Sequence, residues 1–177
     1  MDAALPLRAA PAAPADPGLS PAFETLFRRE YPRVAAIAQR IVRDADEAED
    51  VAQDVFVSFY RKHPADAGYA PAWLHAAAAH TALNAIRSRE RRGRRETAHA
   101  REFDRGVDPQ GAALDAETRS EVRAALGRMD ERAASLLALR YSGLSYDEIA
   151  AALGLRKSSI GTLLSRAEDA FRKEVTR

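Results

Sequence analysis

From Ser20 onward the apolar residues of this chain return every three or four positions, the period of a helix with one buried face. Ser20 and Pro21 read as the N-cap and first position of a helix, and Phe23, Leu26 and Phe27 then share a face. Pro32 predicts a kink or a restart, after which Val34, Ile37, Ala38 and Ile41 resume the period. Asp44 is placed to cap a second helix, with Glu47 three residues on and Ala48, Val51, Val55 and Phe59 stepping by threes and fours. Taken alone, "VFVSFY" has the look of a strand, but its phase with Val51 assigns it to that helix. The segment "KHPADAGYAP" (62–71) then breaks the chain with two prolines and a glycine. Pro71 opens a third helix whose apolar face includes Trp73, Leu74, Leu83 and Ile86, with Trp73 read as packing.

Residues 93–112 lose this period and hold three glycines and a proline, the composition of an interdomain linker. Beyond them Leu114, Val122, Leu126, Leu136, Leu137 and Leu139 begin a second set of short helices. The expected fold is all-α, with two small helical domains, 20–92 and 113–177, joined by a flexible linker. Residues 1–19, rich in alanine with four prolines, offer little to bury and are expected to be a disordered extension.

The stretch "YSGLSYDEIAAALGLRKSSIGTLLSRAEDAF" (141–171) is legible almost residue by residue. Gly143 ends one helix, and Ser145 caps the next with Glu148 at the capping-box position and Ile149, Ala152 and Leu153 inward. Gly154 stops that helix, and a short turn leads to Ser158 as the expected cap of the following one. In it Ile160, Leu163 and Leu164 face inward, while Ser159, Thr162, Ser165 and Arg166 face outward. Two short helices, a glycine turn and an outward face of small polar and basic side chains make a helix-turn-helix. Small hydroxyl residues suit a helix entering a groove about 12 Å wide. Arg156, Lys157, Arg166, Arg172 and Lys173 place positive charge where backbone phosphates would lie. An ordinary helical hairpin is the alternative for this segment by itself.

Charge changes the picture by its segregation, since the net charge is only +1. "DADEAEDVAQDVF" (44–56) holds six carboxylates and no basic residue, whereas "IRSRERRGRR" (86–95) holds six arginines against one glutamate. The chain has no cysteine, which excludes disulfides and thiolate metal sites. No run approaches the roughly 18 apolar residues of a membrane helix, and the first residues lack the basic start and apolar core of a signal peptide. A cytoplasmic protein with no membrane partner is expected.

In order, "AEDVAQDVF", "AWLHAAAAHTALNAIRSRERR", a linker and "LSYDEIAAALGLRKSSIGTLLSRAEDAFR" resemble a sigma factor of the sigma-70 family, of the compact extracytoplasmic-function type. The resemblance covers nearly all of residues 21–175 and implies that the first domain is region 2 and the last is region 4. It implies a promoter-specificity subunit whose partners are core RNA polymerase, through the beta-prime clamp helices and the beta flap, promoter DNA and an anti-sigma factor. By that likeness Asp46, Glu49, Asp50, Gln53, Asp54 and Phe56 would dock on polymerase. Lys62, His63, Asp66 and Tyr69 would form the loop that captures a flipped minus-10 base, and His80, Asn84, Arg87, Arg89 and Arg91 would lie along promoter DNA. Arg156, Lys157, Ser158, Ser159, Thr162, Ser165 and Arg166 would meet the minus-35 element. Acids would thus face polymerase and arginines DNA, because a carboxylate cluster is repelled by phosphate.

The chain departs from the family at two places. Where the family commonly reads "ARNxxxDxxR", this chain has Ala79, His80 and Asn84, and Gly161 and Leu164 stand where Lys and Arg are usual in the recognition helix. These departures bear on promoter sequence and grip rather than on fold.

Two other classes compete. His75 and His80 suggest a metal site, but five residues rotate them about 140° apart on a helix turning about 100° per residue. No glycine-rich phosphate loop and no Ser/His/Asp grouping stands out, so no catalytic residue, metal or cofactor is expected. The second rival is a stand-alone helix-turn-helix regulator acting as a dimer through residues 21–92.

Overall fold

A computed structural model describes residues 18–99 and 110–176, with side chains for 18–93 and 115–176. The expectations for the first 17 residues and for 100–109 lie outside the described residues. The described chain forms seven helices and no strand.

Helix α1 (Pro21–Val42) starts where expected, with the Ser20 hydroxyl accepting from the Phe23 N–H at 3.2 Å. It runs without interruption through Pro32, so the predicted restart does not occur. Pro32 and Arg28 both lie on the exposed side, where the carbonyl deprived of its helical donor faces solvent. The helix ends at Arg43 in the left-handed conformation, its N–H donating to the Gln39 carbonyl. Helix α2 (Ala45–Lys62) is capped by Asp44, which accepts from Glu47 N–H at 2.9 Å.

Helix α3 (Ala70–His99) continues past Gly93 into the stretch read as linker, and α4 (Gln110–Arg128) begins before that stretch ends. A charge-rich helix needs no apolar period once its first turns are anchored, so loss of the period did not mark its end. Helices α5 (Glu131–Tyr141), α6 (Tyr146–Leu153) and α7 (Lys157–Val175) complete the chain.

Helices α1, α2 and α3 bury Ile37, Ile41, Val55, Phe59, Leu74 and Leu83 between them, each worth about 1.5–3 kcal/mol when fully buried. Helices α4 to α7 bury Leu136, Leu139, Leu144, Ile149 and Ile160. The two halves do not stand apart. Helix α3 packs on α4, α5 and α6, α1 packs on α5, and a single apolar cluster runs from Phe23 to Ala167. The pairing is reinforced by Arg33 of α1, which donates to Glu148 of α6 at 2.5 Å.

Within the second half, Gly143 (φ 89°) and Gly154 (φ 62°) occupy left-handed turns that a side chain would strain. Ser145 and Glu148 form the reciprocal capping box expected of them. The start of α7 differs: Arg156, not Ser158, is the N-cap residue, and it makes no side-chain cap. The Leu155 N–H reaches back to the Ala150 carbonyl at 2.9 Å, closing the turn early and placing Ser158 inside the first helical turn.

Candidate protein and nucleic-acid interfaces

Asp46, Glu49, Asp50, Gln53 and Asp54 follow the i, i+3, i+4, i+7, i+8 pattern, so all five share one face of α2, and all five are exposed. The four acids among them make no ion pair among the described residues. Four uncompensated carboxylates on a rigid helix make a surface matched to a basic protein partner.

Phe56 does not belong to that surface. It is 2% exposed and packs edge-on against Phe23 and Phe27, at centroid separations of 6.2 and 4.8 Å. It sits one step off the acidic series, on the side α2 turns toward α1, and reaches the surface only as part of the lining of the adjoining groove. Sequence reading missed the groove this cluster supports. Leu19, Phe23, Phe27, Gln53, Phe56, Val57, Tyr60 and Arg61 line an open cleft of about 500 Å³ beside the acidic face. Val57 and Tyr60, about half exposed, are apolar positions that fall outside the buried series of α2, and that was the available signal.

The 62–70 loop is organised by aromatic contact. The His63 ring stacks on Phe59 at 5.2 Å and lies 4.7 Å from Trp73, while its Nδ1 is 3.3 Å from the Tyr69 hydroxyl. Trp73 packs against Phe59, as expected of a core tryptophan. Lys62, Asp66 and Tyr69 are exposed around this platform.

Along α3 the predicted nucleic-acid face is occupied by the protein itself. Arg87 donates from Nε to the Gly127 carbonyl at 3.2 Å, from Nη2 to the Met129 carbonyl at 3.0 Å and from Nη1 to Glu131 Oε2 at 3.2 Å. His80 Nδ1 lies 2.6 Å from the other oxygen of Glu131, and Asn84 Nδ2 lies 2.9 Å from His80 Nε2. The His80 hydrogen bond is the main reason that Glu131 titrates below the usual carboxylate range. Arg89 lies 2.7 Å from Glu47, so the acidic and basic stretches meet at this pair, and Arg91 donates to Ser88.

His75 and His80 diverge as the helical spacing requires. His75 is buried and faces Glu30 Oε2 across 3.0 Å through Nε2, and its Nδ1 has no hydrogen-bond partner. Burial, only partly opposed by Glu30, lowers its pKa. Among the described residues no group of His, Asp and Glu is arranged to hold a metal ion.

In the helix-turn-helix, Arg156, Ser158, Thr162, Ser165 and Arg166 are exposed and Ser159 is half-buried. Ile160, Leu164 and Ala167 anchor the opposite face of α7. Lys157 pairs with Asp147 at 2.7 Å, whereas Arg156 and Arg166 make no ion pair among the described residues. A side-chain carbon added at Gly161 would meet the Tyr146 ring at ordinary contact distance, so nothing steric demands glycine there.

Comparison with known proteins matches residues 26–92 to the family described as Sigma-70 region 2, and residues 119–170 to Sigma-70, region 4. The RNA polymerase sigma-H factor of Pseudomonas aeruginosa is 30% identical over 165 residues, covering 86% of this chain and 85% of its own length. The ECF RNA polymerase sigma factor SigK of Mycobacterium sp. (strain JLS) is 27% identical over 157 residues, covering 85% of this chain and 80% of its own. The sigma factor RpoE, solved with the anti-sigma factor NepR from Bartonella quintana, matches with a TM-score of 0.51 at 22% identity. That likeness covers 87% of this chain and 96% of RpoE, and concerns the fold.

Proposed function

Because the chain belongs to the sigma-70 family, in its extracytoplasmic-function group, it is a promoter-specificity subunit of RNA polymerase, and we propose how its surfaces divide that work. Asp46, Glu49, Asp50, Gln53 and Asp54 dock on the beta-prime clamp helices, with Val57 and Tyr60 of the adjoining groove as apolar anchors. Charge around an apolar centre is the usual anatomy of a protein interface. The single observation that carries this reading is the unpaired acidic face beside an open apolar groove.

The loop with Lys62, His63, Asp66 and Tyr69 receives a base flipped from the minus-10 element, its aromatic cluster offering a stacking surface. His80, Asn84, Arg87, Arg89 and Arg91 follow the adjoining backbone. Helix α7 enters the minus-35 major groove with Ser158, Ser159, Thr162, Ser165 and Arg166, while Arg156 and Lys157 meet phosphate. The second half reaches the beta flap. The chain acts in the cytoplasm, without catalysis of its own. No described helix is long and apolar enough to cross a membrane. An anti-sigma partner covering these faces fits the group, as NepR is bound to RpoE.

Charge reversal tests the docking. The double variant Asp50→Lys, Asp54→Lys should keep its helical circular dichroism and lose binding to core RNA polymerase. Unchanged affinity would overturn the assignment.

A further inference from the structure

The groove beside the acidic face of α2 opens where the chain enters the described structure. The chain bends at Gly18, and Leu19, 52% exposed, already lines the groove. Phe23, Phe27 and Phe56 form its floor, while Tyr60 meets Phe23 edge-on at a centroid separation of 4.8 Å and stands about half exposed beside Val57. The residues just upstream have a pattern that suits such a surface. Pro11, Pro14 and Pro17 recur at every third position, and Arg8 continues the series. A polyproline helix turns once in three residues, so these four positions share one edge of it. Prolines on one edge dock in aromatic-lined grooves at low entropic cost, because the ring fixes φ in advance. Between the three prolines lie only alanines and Asp16, short enough to let the backbone approach the rings.

We propose that residues 8–17 of this chain occupy the groove as a polyproline helix, with Pro11, Pro14 and Pro17 on the aromatic rings and Arg8 among the acids of α2. Charge sets the direction. Phe23 meets Tyr60 and Phe27 meets Phe56, so α1 and α2 run in opposite senses along the groove, with Arg61 at the Leu19 end and Asp50 beyond the other. Asp16 then lies near Arg61, and Arg8 near Asp50 and Asp54. None of Arg61, Asp50 and Asp54 makes an ion pair among the described residues. The length also suffices. From Pro17 to Arg8 a polyproline helix spans about 28 Å at about 3.1 Å per residue, whereas α2 from Arg61 to Asp50 spans about 17 Å at about 1.5 Å per residue. Occupancy of the groove does not rest on the polymerase reading, but its consequence does: the segment and the clamp helices compete for Val57 and Tyr60. Tethering holds the segment at an effective concentration of about 1 mM, so a contact of about 0.3 mM affinity is filled about three-quarters of the time. It weakens a competitor about fourfold.

The test uses the full chain, which has no native cysteine. Under mild oxidation Ala12→Cys with Gln53→Cys should close an intramolecular disulfide. The same pair carrying Pro11→Ser, Pro14→Ser and Pro17→Ser, or carrying Tyr60→Ala, should close at least about fourfold more slowly. The three serines replace no residue of the described core, so slower closure in that variant is not a sign of unfolding. Equal rates with and without the serines would mean that tethering alone brings the cysteines together, and covalent dimers in place of the internal bond would give the groove to a second copy. Either result overturns the proposal. The serine variant with its native Ala12 and Gln53 should also bind core RNA polymerase about fourfold more tightly than wild type. Slower disulfide closure with unchanged core affinity would keep the segment in the groove and count against the docking assignment of Val57 and Tyr60 instead.

Discussion

Arg33 and Glu148, 115 residues apart in the chain, meet through a carboxylate that already completes a helix cap. Glu148 Oε2 accepts from the Ser145 backbone N–H at 2.8 Å and from its hydroxyl at 2.9 Å, and Oε1 takes the Arg33 guanidinium. The Ser145 backbone bond is the first reason that Glu148 titrates below the usual carboxylate range, with Arg33 adding to it. One side chain thus starts the first helix of the helix-turn-helix and fastens that unit to α1.

The two roles separate by mutation. Glu148→Ala removes the reciprocal half of the capping box and the bridge together, while the Ser145 hydroxyl still accepts from the backbone N–H of residue 148, and should lower stability by about 1–1.5 kcal/mol. Arg33→Ala leaves the cap intact and should cost less than about 1 kcal/mol, because both partners are more than a third exposed. Urea denaturation of both variants measures the difference. Equal losses would mean that the bridge, not the cap, dominates.

His75 supplies a pH signature. Its folded pKa lies below the ordinary value of 6.5, so the unfolded chain binds a proton more readily than the native one. Its contribution to stability is complete above about pH 6.5 and is lost as pH falls toward the folded pKa. The melting temperature should therefore drop between pH 7 and pH 5, and His75→Gln, which cannot titrate, should flatten that drop. Glu131 and Glu148 act at lower pH, since both titrate below the usual carboxylate range. A pH profile identical in wild type and His75→Gln would assign the loss elsewhere.

Arg166 is the exposed, unpaired cation in the middle of α7. Arg166→Ala should weaken binding of the polymerase complex to a duplex minus-35 element and, if its contact is phosphate, reduce the salt slope by about one unit. Affinity measured at several salt concentrations checks both. An unchanged slope with altered sequence preference would assign Arg166 to base edges instead.

The local features of the fold were legible because a few neighbouring residues determine them. The caps at Ser20, Asp44 and Ser145 each need one hydroxyl or carboxylate and an N–H three residues on, and each formed as read. The buried series Ala48, Val51, Val55 and Phe59 followed from period alone. Ser158 was misread because the turn before it closes through a backbone bond, from Leu155 to Ala150, that has no side-chain signature. Phe56 was given to the surface by its place in a family motif, although α2 turns it toward Phe23 and Phe27. The contacts of Arg87 with Gly127, Met129 and Glu131 join residues 40 to 44 positions apart and leave no periodic trace. The exposed acids of α2 were the opposite case, since spacing along one helix was enough to put them on one face.

Run-off transcription with bacterial core RNA polymerase on fragments of the source genome, with and without the protein, addresses promoter specificity most directly. Start sites that require the protein and share two spaced upstream elements are the predicted result. The absence of such starts, with active core enzyme and folded protein, would contradict promoter selection by this chain.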